Sequence, residues 1–379
     1  MKTMRTSCNG GRRTTAVVLS ATVVFLALTA SSAAFAGGDL TGRFETTVLY
    51  IPNAADGTVS AVDPGAATVL WEIRISEEIN GRPAEAAHGI AVSPDGSTLY
   101  AGDRAAGELV VVDTASREVR KRVEIPHGVH GVDISPDGAT VWVAGSSADM
   151  FWLGELSVFD TEAQAIIAHI APGVGSAEHL DFSPDGSQVW VASVSNNLVW
   201  TVDGGSFELA SVVALPQQAG PDGAPEAEAG LIGLNEVAVA PDGRRAYAVG
   251  PASARLFAID AARAEMIAST AAEPRAHGVA VSPDGAEVWV ANRSGSVSVF
   301  AAETLELLAS IPTGAYANHV AVHPDGRRAF VTGEDELLVV DIASRQITDR
   351  IPTGADPHEI AVAVTQSNTA GRPRDADME

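Results

Sequence analysis

His88-Gly89-Ile90-Ala91-Val92-Ser93-Pro94-Asp95-Gly96-Ser97-Thr98-Leu99-Tyr100-Ala101 reads as two short β-strands joined by a tight turn. The apolar run before Pro94 suits a buried inner strand. Proline presets the first turn dihedral, aspartate accepts local backbone hydrogen bonds, and glycine takes the left-handed conformation that closes the turn. Downstream, residues 109–113 and 118–125 supply a third and an outer fourth strand. Directly after an apolar inner-strand run, the Pro-Asp-Gly turn returns at Pro136, Pro184, Pro241, Pro283 and Pro324, these prolines lying, from Pro94 on, 42, 48, 57, 42 and 41 residues apart, while Pro221-Asp222-Gly223 stands outside that frame. That period matches one four-stranded propeller blade and is too long for leucine-rich or helical-hairpin repeats.

Six turns do not mean six blades. Six residues after each repeat proline stands an aromatic, Tyr100, Trp142, Trp190, Tyr247, Trp289 or Phe330, suited to wedge between neighbouring blades. Tyr50 has the same second-strand setting but no inner strand before it. The run from His358 to Val364 has the inner-strand pattern and no second strand after it. Joined, they make a seventh blade, so the expected fold is all-β: a seven-bladed β-propeller of four-stranded antiparallel blades, with the C-terminal strand closing the N-terminal blade. Asp63, Asp113, Asp160, Asp203, Asp260 and Asp341 recur at the end of third strands, where they cap the turn into the fourth; Ala301 departs from the pattern.

Inner strands reading His-Gly-Ile-Ala-Val-Ser-Pro-Asp-Gly, second strands such as Trp289-Val290-Ala291-Asn292, and the Ile-Pro-Thr-Gly runs at Ile311 and Ile351 resemble the YVTN β-propeller repeat family over residues 46–364. The resemblance implies the repeat architecture rather than one activity. Proteins related in architecture include surface-layer proteins, lactonase-like enzymes, amine dehydrogenase propeller subunits, haem-binding propellers of nitrite reductases and the copper-binding propeller of nitrous oxide reductase.

The flanks read differently. Lys2, Arg5, Arg12 and Arg13, the apolar residues 14–30 and Ala34-Phe35-Ala36 form a signal peptide over residues 1–36, followed by a linker at 37–45. Bulky apolar residues do not follow Arg12-Arg13, which favours the general secretory route over twin-arginine export. The expected location is periplasmic or secreted, with no membrane association after cleavage. Cys8, the single cysteine, leaves with the leader, so the mature chain has no disulfide or thiolate ligand. Loss of the leader's four basic residues takes the net charge from −24 to −28, a poor match for nucleic acid or anionic lipid. Residues 365–379 are polar and aperiodic and read as a disordered tail of a monomeric propeller.

Chemistry concentrates at the entries of the inner strands. His88, His130, His277 and His358 lie six residues before the turn-proline position, and His179 and His319 five before it; the remaining blade has Glu236 instead. With Glu178 and Glu359 they form a crown of donors around one channel mouth, suited to zinc or copper, or to an axial bond to haem iron. Histidine at this place is more commonly a repeat residue that bonds neighbouring loop carbonyls. No Cys-x-x-Cys-His is present, so haem would not be attached covalently in the c-type manner. Asp133 and Asp181 replace the inner-strand alanine of two adjacent blades, as partners of backbone between blades or as second-layer partners orienting His130 and His179, with His127 close by. Insertions at 146–154, carrying Met150, Phe151 and Trp152, and at 216–234 fall on the histidine face, where loops carry ligand or partner contacts. The expected role is a binding or scaffold module using this mouth for a protein partner, small ligand or metal. The alternative is an enzyme there, a metal-assisted hydrolase of lactonase type or the propeller of a periplasmic redox system.

Overall fold

The computed structural model describes residues 43–76, 87–146, 153–216 and 233–368. The chain divides into a unit at Met1–Gly42, outside the described residues together with the proposed leader, and a unit from Arg43 onward. Among the described residues of the second unit, 28 strands, numbered in chain order, form seven antiparallel four-stranded sheets. Among the described residues there is no helix long and apolar enough to cross a membrane.

The second blade shows how each is built: β4 (Ala87–Val92), β5 (Thr98–Asp103), β6 (Glu108–Asp113) and β7 (Glu118–Glu124) pair in sequence order. Its turn closes through Gly96 N donating to Ser93 O at 2.8 Å, with Gly96 at φ 74°. Asp95 Oδ1 accepts from Ser93 Oγ at 2.6 Å and from Ser97 N at 3.0 Å, so one carboxylate holds both sides of the turn. The third-strand aspartates do cap the next turn. Asp63, for example, accepts from the N–H groups of Gly65 and Ala66.

The repeat aromatics are all buried. Trp142 packs with Phe182, Val189 and Trp200 of the following blade, its ring edge-on to Phe182 at 5.9 Å. Trp190 likewise meets Val237, Ala246 and Phe257 one blade further on. Large flat rings fill the space that opens as the blades diverge from the axis.

In the split blade β28 (Ala361–Asn368) pairs with β1 (Arg43–Asn53), from Tyr50 opposite Ala361 to Arg43 opposite Asn368. The closing ladder is longer than the sequence pattern indicates. Residues 43–45, taken as linker, pair with residues 366–368, taken as tail. These segments have no apolar alternation because a ladder beyond the core needs only backbone N–H and C=O groups. The rest of the tail, residues 369–379, lies outside the described residues.

Trp142→Ala is expected to cost about 3–5 kcal/mol, the usual range for truncating a buried aromatic. Denaturant unfolding of the mature chain checks this. A loss below about 1 kcal/mol would contradict the wedge role.

Candidate metal centre at the channel mouth

Two consecutive positions of the inner-strand entry build the site. Six residues before the turn the blades present His88, His130, Glu178, Asn235, His277, Asn318 and His358; five before it they present Gly89, Gly131, His179, Glu236, Gly278, His319 and Glu359. The glycines are forced by close approach of adjacent blades. A Cβ at Gly89 would lie 2.5 Å from His130 O, and one at Gly131 would lie 2.5 Å from Glu178 O. In the other four blades this position carries a side chain that reaches the channel.

The six histidines converge. Ring centroids lie 3.6 Å apart for His88 and His358, 4.0 Å for His88 and His130, 4.7 Å for His319 and His358, and 4.9 Å for His277 and His319. His179 is the hub, 4.9 Å from His130 and 4.8 Å from His319. One donor atom from each of His88, His130 and His179 fits within a mutual 4.8 Å, as does one from each of His179, Glu236 and His319.

Carboxylates hold the rings from several blades. His179 Nδ1 meets Glu359 Oε1 at 2.5 Å, and Glu359 Oε2 accepts from Ile90 N at 2.9 Å. His130 Nε2 pairs with Glu178 Oε2 at 2.7 Å. Glu236 Oε2 accepts from Val279 N at 2.7 Å and stands 3.3 Å from His319 Nδ1. Several buried ring nitrogens nevertheless have no hydrogen-bond partner among the described residues: Nδ1 of His88, His130 and His358, Nε2 of His179, and both nitrogens of His319. Buried polar atoms are rarely left unpaired, because each costs about 1–3 kcal/mol.

Protonation states follow from burial. Desolvation, then neighbouring positive charge, holds His88, His130, His277 and His358 well below the usual histidine value, so their rings are neutral near pH 7 and have lone pairs to donate. Burial also works against a charged His179, but Glu359, with Glu236 and Glu178, outweighs it and raises that residue. Burial pushes Glu178 up to about 7, despite the opposing charges of His179 and Arg104.

The crown has two faces. His88, His130, His277 and His358 line a basin of about 980 Å³ together with Arg104, Glu178, Arg293 and Tyr316. His179 and His319 line a chamber of about 330 Å³ with Asp133, Asp181, Glu236 and Glu359. The one-residue offset in sequence between the two histidine sets thus sends them to different faces.

Several expectations need correction. Asp133 and Asp181 do not orient His130 or His179, whose partners are Glu178 and Glu359. Asp181 Oδ2 accepts from Val239 N of the next blade at 2.7 Å, and Asp133 Oδ1 from the adjacent Ile134 N, because an aspartate three residues before the turn lies below the histidine layer. Burial raises both carboxyls, Asp181 to about 7. Glu236, placed by the sequence at an inner-strand entry, opens β16 (Glu236–Val239) and faces the channel rather than joining the contact loops. His127 joins no crown; its Nε2 bonds Ser157 Oγ at 2.8 Å, and that hydroxyl bonds His169 Nδ1 at 2.9 Å. Met150, Phe151 and Trp152 lie outside the described residues, as does most of the 216–234 insertion. Arg104 and Arg293 were missed. The available signal was their shared place just after the second strand, in Asp103-Arg104 and Asn292-Arg293.

A family model described as lactonase, seven-bladed β-propeller, matches residues 110–340. The chain belongs to that family. Among solved structures, this lactonase-family propeller is similar to Kuenenia stuttgartiensis hydrazine synthase, with a TM-score of 0.62 and 18% identity, over 79% of this chain and 99% of that one. It is also similar to a functionally unknown protein from Desulfotomaculum acetoxidans, with a TM-score of 0.67 and 15% identity, over 84% of this chain and 98% of that one. Identities this low carry the fold alone. No curated protein matches the sequence.

Burial lowers the His127 pKa to about 4, against 6.5 for the free side chain. The unfolded chain therefore binds this proton between those values and the folded chain does not, so the group's contribution to stability is complete above pH 6.5 and falls as pH drops toward 4. Relative to wild type, His127→Gln is expected to lose less stability between pH 7 and pH 5, read from urea midpoints. Parallel pH dependence of the two proteins would overturn the assignment.

Proposed function

We propose that this lactonase-family propeller is an exported metal-dependent binding module. A transition-metal ion, zinc or copper by donor type, is held by His88, His130 and His179 at the floor of the basin, where a small molecule completes its coordination. The observation that carries this reading is the set of buried, unpaired ring nitrogens converging on one point. Burial keeps His88 and His130 neutral with lone pairs to donate, and Glu359 holding His179 is the kind of outer carboxylate that fixes a ligand's tautomer. The leader-like first 36 residues support export, where metal would be acquired outside the cytoplasm.

A second reading, hydrolysis of a lactone or similar ester, is favoured by Glu178. Its carboxyl titrates near 7, it lines the basin, and it touches His130, which suits it to moving a proton at a bound substrate. A bound metal would supply polarisation of the carbonyl.

Metal analysis and zinc titration of the mature chain test the proposal. About one tightly held equivalent is expected, with His179→Ala abolishing it and Glu359→Gln weakening it about 10–100-fold. Failure of the wild type to take up zinc or copper stoichiometrically would overturn it. Glu178→Gln separates the readings: because Glu178 pairs with His130 it should weaken metal binding about 10–100-fold, and at saturating metal it should still remove any lactone hydrolysis.

A further inference from the structure

Beneath the histidine layer, the 330 Å³ chamber has a one-sided lining. Asp133, Asp181, Glu236 and Glu359 contribute carboxyl groups to it, and no lysine or arginine lines it. Backbone N–H groups answer part of this charge: Val239 donates to Asp181, Val279 to Glu236, Ile90 to Glu359, and Ile134 to Asp133. Glu359 is also met by His179 Nδ1, whereas Asp133, Asp181 and Glu236 have mainly backbone N–H groups to answer their charge. Carboxylates crowded in a buried space disfavour one another's ionisation, and a cation among them relieves that repulsion.

His319 adds an independent sign of a ligand. It is 2% exposed, lines the chamber, and has no hydrogen-bond partner on either ring nitrogen among the described residues. Its Nδ1 stands 3.3 Å from Glu236 Oε2, a contact without hydrogen-bond geometry but suited to two donors facing one ion. Mixed imidazole and carboxylate donors fit divalent first-row ions, and a carboxylate-rich surround shifts the preference toward manganese.

We propose that this chamber is a second cation site, in which Glu236 and His319 hold a divalent ion of the manganese type and Asp181 and Asp133 supply further negative charge. His179 has only Nε2 to give, since Nδ1 is held by Glu359. That nitrogen is shared by the two donor groups and can serve only one ion at a time; with the basin ion in place, Glu236 and His319 hold the chamber ion without it. The chamber site does not depend on the basin ion, and the two can fail separately.

Free Mn²⁺ gives a six-line paramagnetic resonance spectrum that fades on binding. Titrating the mature chain with MnCl₂ is expected to show about one bound ion, before and after the basin is filled with zinc. His319→Gln and Glu236→Gln should each weaken Mn²⁺ binding about tenfold or more, whereas His88→Gln should weaken zinc uptake and leave Mn²⁺ unchanged. Circular dichroism melts check that the variants fold, and Asp181→Asn gives a milder perturbation expected to weaken Mn²⁺ about threefold or more. Absence of stoichiometric Mn²⁺ binding, or wild-type binding in both His319→Gln and Glu236→Gln, would overturn the chamber site. Mn²⁺ binding weakened by His319→Gln, with zinc uptake unchanged in His88→Gln, would support it while removing the basin ion of the preceding proposal.

Discussion

Everything at the channel mouth depends on the backbone ladder between β1 and β28. Without it the first blade lacks its inner strand, the ring has two free sheet edges, and His358 and Glu359 have no fixed position. With it, Glu359 stands where its carboxylate can reach His179, 180 residues away in sequence and three blades around the ring. The same carboxylate accepts from Ile90 on the adjacent blade, so closure and site organisation share one side chain.

The crown follows from how closely seven inner strands can pack. Where adjacent blades touch through backbone, as at Gly89 and Gly131, no side chain fits, and the imidazole one residue earlier turns toward the basin. Where the position carries histidine or glutamate, the side chain crosses into the channel and meets groups from distant blades. The result is a layer of mostly neutral rings with a solvent-facing basin on one side and a carboxylate-lined chamber on the other. Burial explains both halves of its electrostatics, since it disfavours charge on His88 and His277 as it does on Glu178 and Asp181.

The ring was legible because each blade repeats the same local chemistry. Pro94-Asp95-Gly96 specifies a turn, Tyr100 a wedge and Asp113 a cap, each through interactions within or beside its own hairpin, so their shared frame marks the blades and the seven wedges, Tyr50 included, count them. The site was only half legible. The histidines and Glu236 stood out by their common frame, and Asp181 does bond backbone of the next blade, but the alternative by which Asp133 and Asp181 orient His130 and His179 fails, because which carboxylate meets which imidazole depends on distances across the channel.

By itself, then, the sequence determined the all-β class, the seven blades, the split closing blade and the face bearing the histidines, since strand period and turn chemistry are local properties written at regular intervals. Tertiary structure alone decided that His179 is the hub, that Glu359 holds it, that one frame shift separates basin from chamber, and that His319 stays unpaired. Those outcomes arise where seven strands meet around one axis, and the residues that meet there are up to 270 positions apart in the chain, His88 and His358 among them.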